Sequence, residues 1–156
     1  MAQKRTSDHS KNTGKAGSKN LEKAEALLKK IEDQTAVKVK RQLTQNWRNN
    51  LFEIMMTRVE LAAPHKKFFA ELPGAFRENP RALPHFVRLF AGTMKRILRL
   101  AKAPSRPHHI AAFSLLYVSV VDTFLKDPTR DHAKTMAALD KRLGIFEQFT
   151  QFDPCK

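Results

Sequence analysis

The segment between Pro107 and Pro128 constrains the fold more than any other part of the chain. A helix formed there would be apolar nearly all round, at Ile110, Phe113, Leu116, Tyr117, Val120, Val121, Phe124 and Leu125. The loop at Pro104 precedes this helix, and Asp127 and Pro128 end it. A helix without a polar face has to be covered on both flanks, and in a chain of 156 residues the simplest second cover is another copy of the chain. We therefore expect a two-fold dimer built on this helix.

The rest of the chain shows helical periodicity and no sign of strands. It contains 11 Phe and only 5 Gly, and it lacks the Asn-Gly and Asp-Gly dipeptides of tight hairpins. Apolar spacing predicts helices over residues 21–31, 47–62, 64–72 and 83–101, and a last helix capped by Thr129 or Asp131. The stripe over 47–62 consists of Trp47, Leu51, Ile54, Met55, Arg58, Val59 and Ala62. These patterns predict an all-α fold.

Composition and helix-breaking residues indicate where the helices and the larger segments of the chain begin and end. Residues 1–20 have almost no apolar side chain, which is typical of a disordered tail because nothing offsets the entropy of ordering it. Pro73 and Gly74 are expected to end the short helix that Pro64 begins. Residues 21–62 could form one helix or two. The predicted organisation is a disordered basic tail (1–20), an N-terminal helical extension (21–49), a helical core (50–151) and a short tail (152–156).

The chain is strongly basic, with a formal net charge of +14 and an isoelectric point near 10.3. Such a charge attracts polyanions over a Debye length, although solvated Lys-rich faces give the same composition. The basic residues expected to contact phosphates without sequence specificity lie on the tail and along one row of the 83–101 helix: Lys4, Arg5, Lys11, Lys15, Lys19, Arg88, Lys95, Arg99 and Lys102.

No pattern in the sequence indicates catalysis. The six histidines lack the spacing of metal ligands, and His108 and His109 are expected to point apart into solvent. There is no glycine-rich phosphate loop and no nucleophile motif. We therefore expect a protein that is not an enzyme and that holds no cofactor or metal. The single cysteine, Cys155, makes an intramolecular disulfide impossible and favours the cytoplasm.

Two stretches of the chain resemble the ligand-binding and dimerising half of TetR-type regulators. Leu51 to Leu72 has the sequence LFEIMMTRVELAAPHKKFFAEL, a helix rich in Met and Phe that ends in a Pro-His turn. Ala111 to Leu143 has the sequence AAFSLLYVSVVDTFLKDPTRDHAKTMAALDKRL, in which an Asp-rich turn precedes TMAALDKRL. The pattern is more loosely similar to the TetR-like lipid-binding accessory proteins of ubiquinone biosynthesis. The resemblance covers about two-thirds of the chain.

The resemblance implies a helical bundle that dimerises through its two C-terminal helices and holds a small apolar ligand among the earlier ones. By analogy the ligand pocket would be lined by Met55, Met56, Val59, Phe86, Phe90, Met94 and Phe113. The dimer interface, facing the partner or the helix beneath, would consist of Leu116, Tyr117, Val120, Phe124, Leu139, Leu143 and Phe146. Residues 1–49 contain neither the tight turn nor the aromatic anchors of the DNA-reading helices in such regulators, so operator recognition is not implied.

Three hypotheses follow from the sequence. The first is a non-enzymatic TetR-like regulatory protein that binds an apolar ligand or a protein partner as a homodimer. The second is a basic adaptor that binds nucleic acid through non-specific charge contacts in a nucleoprotein assembly. The third, less favoured, is a lipid-binding accessory protein whose segment Leu21 to Ile31 lies on a membrane surface.

Overall fold

The computed structural model describes the backbone of residues 8–152 and the side chains of residues 18–152. Within that range the chain is helical and has no strand, so the predicted all-α class is confirmed. Single turns of 3₁₀ helix, Ala63–His65 and Pro80–Ala82, lead into the third and fourth helices. The six α-helices are α1 (Asp8–Val39), α2 (Trp47–Ala62), α3 (Lys66–Glu78), α4 (Leu83–Leu100), α5 (Pro107–Lys126) and α6 (Ala133–Gln151).

Helix α5 has one packed side and one outward side. It packs against α3, α4 and α6, while α2 packs against α1, α4 and α6. The buried core that these helices share consists of Val39, Leu51, Ile54, Met55, Met56, Met94, Ile97, Leu98, Ala101, Ala103, Phe113, Leu116, Val120, Leu139, Leu143 and Phe146. The core therefore draws on α1, α2, α4, α5 and α6, and no separate second domain is present in the described range.

Helix α1 begins at Asp8, well before the predicted boundary at residue 21. Extending a packed helix costs less than nucleating a new one, so the polar residues before Leu21 continue the helix although their own propensity is poor. Leu21, Ala24 and Ile31 are buried in the bundle, so α1 is part of the core fold and not an extension from it. The apolar face that the membrane-surface hypothesis needs is therefore already covered.

Two helices, and not one, span residues 21–62, because a short loop separates Val39 from Trp47. Asn46 caps α2 by accepting hydrogen bonds from the backbone N–H groups of Arg48 at 3.0 Å and Asn49 at 3.2 Å. The side chain of Asn50, only 1% exposed, accepts from the Thr44 backbone N–H at 2.7 Å and donates to the carbonyls of Thr44 and Ala101, each at 3.0 Å. Asn50 thus ties this loop to the end of α4.

Helix α3 runs through Pro73 to Glu78, so the predicted break at Pro73 and Gly74 is wrong. A proline inside a helix removes one backbone hydrogen bond and usually ends it. Here tertiary packing holds the second half of the helix: Ala75 is buried, and the ring of Phe76 lies 4.9 Å from that of Phe86 on α4. Packing therefore outweighs the local signal.

The turn between α5 and α6 is organised by Asp127, which is 2% exposed. One carboxylate oxygen accepts from the backbone N–H and hydroxyl of Thr129, at 3.0 and 2.6 Å. The other accepts from the backbone N–H and hydroxyl of Thr135, at 2.8 and 2.9 Å. These bonds, with the Thr129 hydroxyl first, hold the pKa of Asp127 well below its ordinary value. The predicted caps, Thr129 and Asp131, both accept from the Ala133 N–H, but the buried contacts come from Asp127.

Candidate ligand cavity and outer surface

A cavity of about 510 Å³ lies among the first five helices and is partly open to solvent. Its volume is within the range of sites that hold a small organic ligand, about 300–1,000 Å³. Its lining is mostly apolar, and the side chains on α2, α4 and α5 that form most of the wall are Met55, Arg58, Val59, Phe86, Leu89, Phe90, Met94, Tyr117, Val121 and Phe124. Helix α1 closes one side with Leu28 and Ile31.

Five of the seven residues predicted for a ligand pocket line this cavity: Met55, Val59, Phe86, Phe90 and Met94. Met56 and Phe113 do not line it. Met56 lies in the buried core, and Phe113 is fully buried with its ring 5.7 Å from that of Phe146 on α6. The family resemblance, together with helical spacing, placed all seven on inner faces, but only the packing of the helices decides which inner face opens on empty space.

Arg58 is the charged residue inside the cavity wall, and it is only 4% exposed. Its Nε–H donates to the phenol oxygen of Tyr117 at 3.1 Å, and its guanidinium carbon lies 5.7 Å from the centre of the Tyr117 ring. Among the described residues no carboxylate lies within 4.0 Å of Arg58. A buried cation without an anion is costly, so this arrangement is unusual for a purely structural residue.

Carboxylates of α1 surround the mouth of the cavity. Glu32 accepts from Arg96 and, at 3.1 Å, from the hydroxyl of Thr93, both on α4. The hydrogen bond to Glu32 raises the pKa of Arg96 above its ordinary value. Glu25, also at the mouth, lies 3.6 Å from His85 of α4. These contacts connect α1 to α4 beside the cavity.

The chain was compared with models of known protein families, with curated proteins and with solved structures. None of them matches. The cavity therefore has to be interpreted from its own chemistry. In the part of the chain whose side chains the structure describes, no group of three or more His, Cys, Asp or Glu side chains could hold a metal ion.

The residues predicted for the dimer interface face the core of the single chain. Leu116, Val120, Phe124, Leu139, Leu143 and Phe146 are each 8% exposed or less, and Tyr117 lines the cavity. Of the two possibilities given for these residues, the structure shows contact with the helices beneath them, and their buried side chains do not form a surface for a partner. Because α5 is apolar nearly all round, periodicity could not show which of its stripes faces outward.

The outward stripes of α5 and α6 are a different set of apolar side chains. Leu115 is 75% exposed and Val118 57% on α5, and Ile145 is 59% and Phe149 44% on α6. The ring centres of Phe149 on α6 and His108 on α5 are 6.1 Å apart. Leu115 follows His108 by seven residues, which places both on the same face of α5, beside α6. We call Leu115, Val118, Ile145 and Phe149 the outer α5–α6 surface.

Helix α5 is also the one helix of the described range that is long and apolar enough to cross a membrane. The inner face of α5 is packed on three neighbouring helices, and 28% of its apolar stretch is buried within the chain. Its outward positions include the exposed carboxylate of Asp122, which pairs with Lys126 at 2.8 Å.

The predicted basic row remains at the surface. Arg88, Lys95 and Arg99 are exposed on the outward side of α4, and Lys102 follows in the turn after it with a left-handed backbone φ of 62°. Lys19 is exposed on α1. Lys4 and Arg5 lie outside the described residues, as do the side chains of Lys11 and Lys15.

His108 and His109 do not point apart as predicted. Their ring centres are 4.1 Å apart and their Nε2 atoms 3.1 Å apart. His109 is only 2% exposed, and both rings pack on Phe149 with centroid distances of 6.1 Å. The pair packs where the start of α5 meets the end of α6, and the burial of His109 there overrides the local tendency of adjacent helical residues to diverge.

Proposed function

We propose that this chain is a non-enzymatic, TetR-like ligand-binding protein that works as a homodimer. The cavity among α1 to α5 is the observation that carries the proposal, because its mostly apolar lining and its volume of about 510 Å³ are those of a site for a small organic ligand. Its wall contains Met55 and Met94, whose flexible thioethers adapt to ligands of irregular shape. Its partly open mouth gives a ligand a way in.

A second copy of the chain is the proposed occupant of the outer α5–α6 surface. A chain with a formal charge of +14 repels its own copies, and this repulsion is weakest where basic residues are absent. Between Pro107 and Leu125 of α5 there is no Lys or Arg, and Asp122 is the one acidic residue; on α6 the exposed Lys141 lies one turn before Ile145. The patch on two packed helices can pair with itself across a two-fold axis.

Native mass spectrometry of the purified full chain tests both halves of the proposal in one spectrum. The expected result is a dimer mass together with a small organic ligand that is lost on activation. A cavity-filling variant, Val121→Trp, should lower the affinity for an apolar fluorescent dye, whereas Val37→Trp should not, because Val37 is 76% exposed on α1. A protein that binds no apolar dye or ligand at all would refute ligand binding.

The exposed basic row favours a second candidate function, a basic adaptor of nucleic acid. No carboxylate among the described residues lies within 4.0 Å of Arg88, Lys95 or Arg99. The affinity for a generic DNA duplex, measured by fluorescence anisotropy, should fall by at least about tenfold between 50 and 200 mM salt if binding to these residues releases counterions from the DNA. Alanine at all three positions should reduce the salt slope, while alanine at Lys134 and Lys141, two exposed lysines of α6, should change it less. No binding at low salt would exclude this candidate.

A further inference from the structure

We propose that the ligand of the cavity is an amphipathic carboxylate, a fatty-acid-like molecule whose acidic group binds Arg58 and Tyr117 while its tail fills the apolar part. This inference rests on the proposed ligand-binding function and narrows it to one chemical class. It is carried by the buried, unpaired guanidinium of Arg58 in a wall that is otherwise mostly apolar.

The free donors of Arg58 open on the cavity. Its Nε–H is used by Tyr117, and no other partner of the guanidinium exists among the described residues. Over the same range, His132 Nδ1 is the one side-chain polar atom that is both sealed from solvent and without a partner, so the two Nη atoms of Arg58 are not sealed. Because Arg58 lines the cavity, its accessible N–H groups face the space where a ligand would lie.

An arginine in this position cannot remove its charge by losing a proton, as a buried lysine could. It needs an anion instead, and the planar guanidinium matches the two oxygens of a carboxylate. Tyr117 completes the site: its oxygen accepts from Arg58, so its own O–H is available to donate to the same carboxylate. The two side chains therefore offer convergent donors on adjacent helical walls.

The charges at the mouth place the acidic group inside and not at the entrance. Three carboxylates of α1 line the cavity where it meets solvent, since Glu25 and Asp33 are exposed and Glu32 is partly exposed, and they repel a carboxylate there. Two exposed cations also line the cavity: Arg96 is paired with Glu32, and Lys29 is solvated and binds an anion only weakly. The size of the cavity suits a single acyl chain better than a complete two-chain lipid.

Decanoic acid and decanol differ only in the head group. Each is titrated into the delipidated full-length protein, and its affinity is measured by isothermal titration calorimetry. The wild-type chain should bind decanoate on the order of 10- to 100-fold more tightly than decanol, the range for a hydrogen bond to a charged group. Arg58→Met should remove this preference while binding decanol as well as the wild type does. Lys29→Met is the matched control, a cation of the same cavity that should leave the preference intact.

A second measurement remains decisive if Arg58→Met folds poorly. In wild-type protein, the pKa of carboxyl-¹³C decanoate, read by NMR titration, should fall on binding because the guanidinium favours the ionised form. Tyr117→Phe, which removes only the phenol oxygen, should weaken decanoate binding by roughly 2- to 10-fold. Equal binding of acid and alcohol, with an unlowered carboxyl pKa, would overturn the carboxylate site and leave apolar ligand binding standing. Failure of both compounds to bind would overturn the carboxylate site and count against the proposed function as well.

Discussion

The substitution Leu115→Asp is the sharpest test of the outer α5–α6 surface. Leu115 is 75% exposed in the single chain, so a partner would remove most of its side chain from water. Burying a whole leucine side chain contributes about 1.5–3 kcal/mol, so the exposed three-quarters would contribute about 1–2 kcal/mol per copy. A two-fold interface contains the residue twice, which gives about 2–4 kcal/mol per dimer before any cost of burying the new carboxylate.

This free energy corresponds to a rise in the dimer dissociation constant of roughly 30-fold to 900-fold. Sedimentation equilibrium over a range of protein concentrations measures it directly, and circular dichroism checks that the variant is folded. Val37→Asp is the control, because Val37 is 76% exposed but lies on α1. The reasoning fails if the wild-type chain is monomeric at tens of micromolar, or if Leu115→Asp and Val37→Asp dimerise equally well.

Three further predictions concern stability. Arg58→Met should leave the ligand-free protein as stable as the wild type or about 1 kcal/mol more stable, because it removes an unpaired buried charge. Differential scanning calorimetry measures this, and a clear fall in Tm would contradict it. Asn50→Ala should lower the free energy of unfolding by about 2–4 kcal/mol in urea, because buried backbone groups of Thr44 and Ala101 lose their partner; a loss below about 1 kcal/mol would contradict it. The low pKa of Asp127 contributes stability that is complete above the ordinary carboxyl pKa and is lost as the pH falls below about 4. Asp127→Asn should show a shallower acid dependence in urea titrations between pH 7 and pH 3, and an unchanged slope would disprove this.

Helix boundaries were predictable where proline and packing agree. Helix α5 starts at Pro107 and ends at Lys126, as its flanking prolines indicated, and α4 spans the predicted stripe from Leu83 to Leu100. The predictions failed where tertiary contacts overrule a local signal. Pro73 lies within α3 because Ala75 and Phe76 beyond it are held by the bundle. Local sequence contains no information on such contacts.

The cavity was predictable in part. Apolar spacing on α2 and α4 found most of its wall, but the sequence does not state which inward faces leave a gap between them. Arg58 was visible as an arginine within an apolar helical stripe, at a position where a core side chain was expected. Such a position is a useful signal, because a charged residue on the buried face of a helix needs a partner that the sequence alone cannot name.

The all-round apolarity of α5 has three separate causes in the structure. Its inner stripe, with Phe113 and Val120, fills the core; Tyr117 and Val121 form a wall of the cavity; Leu115 faces outward. The proposed ligand site and the proposed dimer surface are therefore neighbouring faces of one helix, and Val118 belongs to both. Because a helix moves as a rigid body, a ligand that displaces α5 on its cavity side also displaces the side chains of its dimer surface. Ligand binding and dimerisation are therefore expected to be coupled. If the ligand changes the dimerisation constant by some factor, dimerisation must change the ligand affinity by the same factor.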